Sequence, residues 1–439
     1  MATIGCGAVA KIAGVPSRDI TTITVDLPST ILVGDTVQAT ATAKDGSGRP
    51  VETAFVWRSS DPGSVSVDGR GRVVGSSAGI QATIFAEASG KSGSAVVAIG
   101  DDQRLGYAVG DQPSAPGPYL PDPNFRHSST GASIEITRPS TGVYTVRFIG
   151  LGRQAGQRDN VQVTGLGGAA GVYCKVGGWQ SNGPDLFAGA RCFTADGVPA
   201  DSRFTMLLSG ARPYEPTSRL GFVRVPDFAG TAISLDTSGA ARNSATGAVN
   251  VGHNAVGEYS LQFPGLVRVA GTRYAGPENS QVTALGTGPE RCRIVGVDAS
   301  MGAVAVSCTT TGGIPADSRF SFLWIQRGRA GTRFGYAWAD QPSSTTEYAP
   351  DARFTRNSSG GQITAQMLTL GHYRIVFGGQ ARPAGGTETF LISIVGDGDK
   401  ICTTDSWGNS GPTDLAVLLA CFTPAGMPTV ARFGILMVE

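Results

Sequence analysis

The sequence has little charge, few histidines and no long apolar run. Charged residues make up 16% of the 439 residues, and 35 Lys and Arg almost cancel 34 Asp and Glu. Nucleic acid and anionic membranes are bound by concentrated positive charge, so this balance argues against both kinds of partner. No apolar run approaches the roughly 20 residues of a membrane-spanning helix, which predicts that the chain has no transmembrane segment.

Helical periodicity is also missing, and glycine is abundant instead. No stretch of about 12 residues combines an apolar period of 3.6 with capping residues. Glycine accounts for 63 residues, about twice its ordinary share of ~7%. The apolar fraction of 41% is large enough for packed cores, so the chain is expected to fold.

Three signatures recur in the same order after residue 103, which identifies three copies of one repeat. In the first copy they read RLGYAVGDQPS, GVYTVRFIGL and CFTADGVPADSRF. The tyrosines of the second signature lie 115 and 114 residues apart. The first signature begins at Arg104, Arg219 and Arg333 in the three copies. The second contains Tyr144, Tyr259 and Tyr373, and the third ends on Phe204, Phe320 and Phe433.

The pattern within each repeat is that of strands. Tyr144, Val146 and Phe148 alternate with Thr145 and Arg147, which is the period of a strand with one buried face. Clusters of Gly, Asn, Asp, Ser and Pro between such runs supply turns. Repeats of ~110 residues built this way predict antiparallel two-sheet β-sandwiches in tandem, and immunoglobulin-like and jelly-roll topologies both remain open.

Six of the seven cysteines form one pair in each repeat, 16 to 19 residues apart. The pairs are Cys174 and Cys192, Cys292 and Cys308, and Cys402 and Cys421. A zinc site needs four converging ligands, whereas each copy offers two cysteines and no nearby histidine, so we predict a disulfide in each repeat. Disulfides persist in oxidising compartments, which predicts an extracellular or cell-surface location.

The remaining cysteine is Cys6. Two interpretations stay open for it: the lipid-attachment cysteine of an exported lipoprotein, and a free or intermolecular thiol. The sequence GCGAVA leads into a tether-like stretch, but Thr3 stands where a lipid-attachment motif has an aliphatic residue.

The first hundred residues differ from the repeats. ITVDLPSTILVGDTVQATATAKDGSGRPV, FVWRSSDPGSVSVDGRGRVVG and AGIQATIFAEASGKSGSAVVAI follow one another between Ile23 and Ile99. In the order of these motifs, with Trp57 and a hairpin from Val67 to Val73, the segment resembles the bacterial immunoglobulin-like group 2 domain. The resemblance implies a small β-sandwich that acts outside the cell as a spacer or adhesive module.

The predicted organisation is thus all-β with four domains after a tether. The tether spans residues 1–22 and the immunoglobulin-like domain residues 23–100. The β-sandwich repeats span residues 104–210, 219–327 and 333–439.

Candidate catalytic groups do not recur in a usable arrangement. The loop WGNSGPTD around Ser410 resembles a protease nucleophile loop superficially, but a serine nucleophile needs an oriented histidine base, and His372 is the only histidine in that repeat. Asp201 and Asp317 recur in the third signature, where a turn role with pairing to Arg203 and Arg319 is expected.

Repeated acids do not supply a paired-carboxylate or calcium site either. Asp111 and Asp340 recur in the first signature, but only repeat 1 carries both recurring acids, which argues against glycoside hydrolysis. No dense Asp, Asn and Gly loop of the calcium-binding type is present. We therefore expect no catalytic residue, no metal and no cofactor.

Aromatic residues in loops are the best candidates for binding. Tyr119 and Tyr348 lie in proline-bearing loops, Trp179 and Trp407 lie between the paired cysteines, and Trp338 is found in repeat 3. Tyrosine and tryptophan offer flat amphipathic faces suited to sugar rings or protein surfaces. The alternative is that the tryptophans cover the disulfide and the end of the sandwich.

These features predict a non-catalytic, exported bacterial surface protein with a structural or adhesive role. Its expected partners are other copies of itself or other surface components. The alternative function is carbohydrate binding by the aromatic residues of repeats 1 and 3, with a polysaccharide as partner.

Overall fold

Strands and turns make up almost all of the structure, a computed structural model. No helix of seven or more residues occurs in the described part of the chain, and none there is long and apolar enough to cross a membrane. The all-β prediction is confirmed. The structure describes residues 19–33, 36–77, 79–100, 102, 104–154, 157–167, 171–210, 219–227, 230–235, 240–244, 248–266, 278–326, 333–396 and 398–439.

These residues fall into two compact units, one within 1–31 and 37–99 and the other within 32–36 and 100–439. The first ten strands are β1 (Ile20–Asp26), β2 (Thr30–Leu32), β3 (Thr36–Gln38), β4 (Thr40–Asp45), β5 (Pro50–Val51), β6 (Val56–Ser59), β7 (Val65–Val67), β8 (Arg72–Gly75), β9 (Gln81–Ala88) and β10 (Lys91–Gly100).

Strands β1 to β10 form sheets with the orders β1-β4-β5, β2-β10-β9-β6 and β3-β8-β7. The predicted hairpin is present, with Val67 of β7 opposite Val73 of β8. At Gly93 an added Cβ would lie 2.3 Å from the Ile23 carbonyl oxygen, so only glycine allows β10 to approach β1 this closely. The buried core of this unit contains Ile20, Ile23, Ala43, Ala86 and Ala88.

The second unit contains the three repeats. Repeat 1 has β11 (Leu105–Gly110), a 3-10 helix (Pro123–Phe125), β12 (Arg126–Ser128), β13 (Ile134–Ser140), β14 (Val143–Phe148), β15 (Asp159–Leu166), β16 (Tyr173–Asn182), β17 (Asp185–Phe193) and β18 (Arg203–Gly210). Repeat 2 has β19 (Arg219–Val225), β20 (Ala232–Leu235), β21 (Ala241–Asn243), β22 (Val249–Ala255), β23 (Glu258–Gln262), β24 (Glu278–Leu285), β25 (Arg291–Asp298), β26 (Ala303–Thr309), a 3-10 helix (Thr311–Gly313) and β27 (Arg319–Gln326). Repeat 3 has β28 (Phe334–Trp338), a 3-10 helix (Ala352–Phe354), β29 (Arg356–Asn357), β30 (Ile363–Thr369), β31 (His372–Phe377), β32 (Thr389–Ile394), β33 (Ile401–Ser410), β34 (Asp414–Phe422) and β35 (Phe433–Val438).

Each repeat is a sandwich of an inner and an outer sheet. The inner sheets run β12-β11-β18-β15, β21-β19-β27-β24 and β29-β28-β35-β32. The outer sheets run β13-β14-β17-β16, β20-β22-β23-β26-β25 and β30-β31-β34-β33. The last two strands of a repeat, such as β17 and β18, lie in different sheets, whereas the last two strands of an immunoglobulin sandwich share one. The strand order of the repeats therefore differs from that of an immunoglobulin sandwich.

The predicted disulfides are present. Each one joins directly opposed residues of two paired outer strands, such as β16 and β17, with Cα atoms 4.0–4.1 Å apart. The bonds link Cys174 to Cys192, Cys292 to Cys308, and Cys402 to Cys421. Cys6 and residues 1–18 of the predicted tether lie outside the described residues.

The inner sheets are buried on both faces because the three repeats share a core. Every residue of β11 and β35 is buried, whereas β14 of an outer sheet alternates between buried and half-exposed positions. Tyr107, Phe222 and Tyr336 occupy equivalent places in this shared core, and each is fully buried. Its other members include Leu105, Leu207, Leu220, Leu323, Ile325, Phe334, Leu391, Leu436 and Val438.

Backbone hydrogen bonds close the repeats into a ring. A glycine that follows the inner edge strand β15, β24 or β32 donates its N–H to a carbonyl of an outer strand of the neighbouring repeat. The bonds run from Gly167 to Thr404 (2.5 Å), from Gly286 to Val176 (2.9 Å) and from Gly396 to Ile294 (2.9 Å). Repeat 1 thus donates to repeat 3, repeat 3 to repeat 2, and repeat 2 to repeat 1, which is the pattern of a pseudo-threefold assembly in one chain.

Polar side chains on the inner strands bond across the same junctions. Asn160 Nδ2 donates to Ser321 Oγ at 2.8 Å, Thr205 Oγ1 donates to the Phe390 carbonyl at 2.8 Å, and Ser393 Oγ donates to Gln281 Oε1 at 2.9 Å. Buried polar groups are costly without partners, so these bonds fix how the repeats fit together.

Candidate functional site

The repeats can be compared position by position because their strands pair in the same way. The arginine of the first signature precedes the tyrosine of the second by the same 40 residues in each copy. Each first-cysteine strand has a bulge two residues after the cysteine. Two sets of equivalent residues follow: Trp179, Val297 and Trp407 on those strands, and Val109, Arg224 and Trp338 at or near the ends of the first inner strands.

These residues meet at the three junctions between repeats, and we name the equivalent places grooves 1–2, 2–3 and 3–1 after the repeats that form them, whether they are open or filled. In groove 2–3, Trp338 stacks on Phe354 with ring centroids 4.0 Å apart and an interplanar angle of 2°. In groove 3–1, Trp407 of repeat 3 meets Phe125 of repeat 1 edge-on at 5.4 Å. An aromatic pair therefore occupies each of these two grooves.

Groove 1–2 is open instead. The Arg224 guanidinium lies over the Trp179 ring, 5.1 Å from its centroid. The position of Phe125 and Phe354 is taken in repeat 2 by Ala240, whose carbonyl accepts a hydrogen bond from the Arg224 N–H at 2.7 Å. A cavity of about 700 Å³ lies in this groove, within the size range of small-ligand sites.

The floor of groove 1–2 is the outward face of the outer sheet of repeat 1. Gly178 and Gly189 lie opposite each other on β16 and β17, and Thr145 continues the row on β14. A Cβ at Gly189 would meet its nearest atoms at 3.6 Å, which is ordinary contact. Packing therefore does not require this glycine, and repeats 2 and 3 have Ala305 and Leu418 at the same position.

Positive charge predominates in groove 1–2. Three arginines and one aspartate line it. Arg191 lies across the floor, since its Cγ is 3.2 Å from the Cβ position of Gly177. On the opposite wall Arg319 Nε and an oxygen of Asp227 are 3.5 Å apart, and this exposed ion pair is weak.

The setting of Arg224 disfavours its own charge. Its pKa is lowered by burial first and then by repulsion from Arg153, with Arg319 a smaller cause, while Asp159 acts in the opposite direction. A bound anion would offset both the burial and the repulsion.

The five predicted binding residues are not brought together. Trp179, Trp338 and Trp407 lie in three different grooves, and Tyr119 and Tyr348 pack at the ends of their own sandwiches. Trp179 is 9% exposed and donates its indole N–H to Asp159 at 2.6 Å. These placements favour the packing alternative for the tryptophans.

The two tyrosines are also held by their own repeats. The hydroxyl of Tyr119 accepts the Gln112 N–H at 3.3 Å, and that of Tyr348 accepts the Gln341 N–H at 3.1 Å. Burial raises the pKa of both to about 12. Both hydroxyls therefore stay protonated near neutral pH and brace the proline-bearing loops.

The predicted pairing of Asp201 with Arg203 is wrong. Asp201 instead forms an ion pair with Arg138 at 2.6 Å and accepts the Gly142 N–H at 2.8 Å. The pKa of Asp201 is lowered mainly by the Arg138 hydrogen bonds. Arg203 begins β18 and its guanidinium lies beside Gly167 instead, so Arg138 on β13 is the arginine that reaches Asp201.

The pairing of Asp317 with Arg319 fails in the same way. Asp317 contacts His253 at 2.8 Å and accepts the Gly257 N–H at 2.7 Å, and that backbone bond is the main cause of its lowered pKa. Arg319 contacts Asp227 instead. Repeat 3 has Met367 and Val430 where the other repeats have the Arg138–Asp201 and His253–Asp317 contacts.

Ser410 and His372 lie far apart in repeat 3. Ser410 is opposite Asp414 and His372 is opposite Ala420 along β34, a separation of roughly 20 Å at 3.3 Å per residue. The Ser410 hydroxyl accepts a hydrogen bond from Arg374 at 2.7 Å. Among the residues the structure describes, no group of three His, Cys, Asp or Glu could hold a metal ion.

Sequence reasoning missed Arg191 and Arg224. Both occur where the other repeats lack a charge: Ser307 and Ala420 are equivalent to Arg191, and Val109 and Trp338 to Arg224. The available signal was the departure from the repeat pattern, because a charge found in one copy alone is not needed for the common fold.

No protein-family model matches the chain, and no curated protein matches its sequence. The resemblance of residues 23–99 to the immunoglobulin-like group 2 domain therefore stays a prediction.

Proposed function

We propose that this chain is a non-catalytic, exported bacterial surface protein with a structural or adhesive role. The observation that carries the proposal is the ring of three repeats, each with its own disulfide and bonded to both neighbours. Disulfides persist outside the cytoplasm and stabilise domains against unfolding, which suits a body that works at the cell surface.

The candidate catalytic groups support a role without turnover. Asp201 is held by an ion pair with Arg138, and Asp317 is held by hydrogen bonds with His253 and the Gly257 N–H. A carboxylate held in this way has a lowered pKa and is a poor proton donor near neutral pH. Ser410 and His372 are too far apart to form a nucleophile and its base.

The edges of the outer sheets offer a route to self-assembly. Strands β13, β20 and β30 each end a sheet. A strand at an edge presents backbone groups that can pair with another chain. Low surface charge reduces repulsion between copies.

Light scattering and negative-stain imaging of the oxidised protein test the proposal. Discrete oligomers or filaments are expected for a structural element. A monomer of one chain mass that is also not retained on beads bearing bacterial surface polysaccharides would contradict both the structural and the adhesive role.

Carbohydrate binding is the second candidate. The open groove 1–2 favours it, because its volume of about 700 Å³ accommodates a short oligosaccharide. Retention of the monomer on polysaccharide beads without any self-association would favour this candidate over assembly.

A further inference from the structure

We propose that groove 1–2 binds an acidic oligosaccharide, with Arg191, Arg224 and Arg319 recognising its carboxylates and the glycine floor receiving its sugar rings. This inference rests on the proposed adhesive function and names the ligand class of one site. It uses residues that differ from those predicted in the loops.

The first step is the charge of the groove. Arg191 of β17 lies across the floor on repeat 1, Arg319 of β27 lies on the wall formed by repeat 2, and Arg224 of β19 is half-buried. Guanidinium groups bind carboxylates through two parallel hydrogen bonds. Asp227 is the single acid among the lining residues, and its side chain is 84% exposed, so most of the positive charge is left for a ligand.

The second step is the shape of the floor. Gly178 and Gly189 bring bare backbone to the surface of the neighbouring strands β16 and β17, with Thr145 beside them on β14. Phe187 adds an apolar side wall. A flat floor with an aromatic wall and a hydroxyl suits a pyranose ring, which has both apolar faces and hydroxyl edges.

The third step distinguishes a sugar from a peptide. The floor is the face of a sheet whose backbone groups already bond between β14, β17 and β16. A peptide that binds as an added strand needs a free strand edge. Recognition in groove 1–2 must therefore come from side chains, which favours a compact acidic sugar over an acidic peptide strand.

The fourth step is the asymmetry of the ring. Stacked or edge-on aromatic pairs occupy grooves 2–3 and 3–1, while groove 1–2 combines Ala240, Gly189 and two arginines that are absent at the equivalent positions. Four departures from the repeat pattern fall on one groove. Each of them enlarges the groove or adds positive charge to it.

The test uses isothermal titration calorimetry on the full oxidised chain with tetramers of galacturonic acid and of mannuronic acid. Neutral galactotetraose and tetraglutamate serve as comparison probes. We expect at least one uronate tetramer to bind, to lose tenfold or more in affinity between 50 and 500 mM NaCl, and to bind tenfold or more tightly than either comparison probe.

Two variants locate the site. Gly189→Leu places on the floor the side chain that repeat 3 carries as Leu418, and Arg224→Val introduces the repeat 1 residue Val109, so both are compatible with the fold. Each should reduce uronate affinity at least tenfold with an unchanged melting temperature. The matched control Ala305→Leu makes the same kind of change on repeat 2 and should bind like the wild type.

Any one of three results would overturn the inference. The first is that neither uronate tetramer binds, and the second is that galactotetraose or tetraglutamate binds as tightly as the uronates. The third is that both groove variants keep the wild-type affinity for uronate. One combination of results separates the two proposals. If the wild type binds no uronate but Gly189→Leu still assembles, or is still retained on beads, like the wild type, the groove assignment fails and the proposed surface function stands.

Discussion

Repeat 2 and its two neighbours build the same sandwich with different peripheral residues. Repeats 1 and 3 carry Tyr119 and Tyr348 where repeat 2 has Ile233, and a phenylalanine on the 3-10 helix where repeat 2 has Ala240. The buried aromatic residues of the sandwich are kept in all three, as shown by Phe148, Phe263 and Phe377. The peripheral aromatic residues therefore close the grooves and brace the loops, whereas the buried aromatic residues stabilise the common sandwich.

The largest expected effect comes from the disulfides, which the repeats share. Replacing Cys292 and Cys308 together by serine should lower the free energy of unfolding by about 3 kcal/mol, the chain-entropy value for a loop of this size. The double serine variant of Cys402 and Cys421 removes a disulfide that closes a loop of similar length, and it is the control. Urea unfolding should give similar losses, and a much larger loss for repeat 2 would show that its missing aromatics weaken the sandwich itself.

Opening groove 2–3 should have the next largest effect. Phe354→Ala gives repeat 3 the residue that repeat 2 has at Ala240 and removes the ring stacked on Trp338. The expected loss is roughly 2 kcal/mol, the burial of one large apolar side chain. Ala240→Gly in the groove that is already open is the control and should lose about 1 kcal/mol or less. Equal losses would contradict the view that the aromatic pair closes groove 2–3.

A smaller effect is expected in the shared core. The Tyr107 hydroxyl and Thr387 Oγ1 are 2.6 Å apart, a contact between repeats 1 and 3. Tyr107→Phe gives repeat 1 the residue that repeat 2 carries as Phe222 and should cost about 1 kcal/mol, the net value of one hydrogen bond. Thermal unfolding measures it, and Thr387→Val should lower the melting temperature by a similar amount. No change in either variant would show that this hydrogen bond does not help to close the ring.

The smallest effect is a pH dependence found in repeat 1 and absent from the equivalent place in repeat 3. The folded-state pKa of Asp201 is lowered, so its pairing stabilises the protein above the ordinary aspartate value of 3.8 and the stabilisation is lost as pH falls through the folded pKa. Wild type should therefore be more stable than Asp201→Asn at pH 6, and the difference should shrink below about pH 4. Val430→Asn at the equivalent place in repeat 3 is the control, and its difference from wild type should not vary with pH. A constant difference for Asp201→Asn would contradict the assignment.

The fold was largely predictable, and the site was not. Alternation in the outer strands and the cysteine pairs predicted the sandwiches, because those signals are local or repeat in the chain. Strand β35 buries both faces and its sequence shows little alternation, since its second face packs against the other repeats. The pairing of Asp201 with Arg138 was missed because the two residues meet only when the turn after β13 brings them together.

The candidate groove depends on contacts that no single repeat contains. Arg224 meets Trp179 only after repeats 1 and 2 dock, so a search for loop aromatics placed the site elsewhere. Comparing the copies position by position points to Arg191 and Arg224, but their proximity follows from the ring.

The closed ring also sets the order in which the chain can mature. Thr164 of repeat 1 bonds to the backbone of Ile392, which follows it by 228 residues, so this junction cannot form until the last repeat has been synthesised and delivered. Until then the inner strands of repeat 1 lack the contacts that repeat 3 makes with them, and the face that they turn to repeat 3 is uncovered. A chain that stops after repeat 2 would expose that face permanently, which makes premature termination an aggregation hazard and gives chaperones a defined surface to shield.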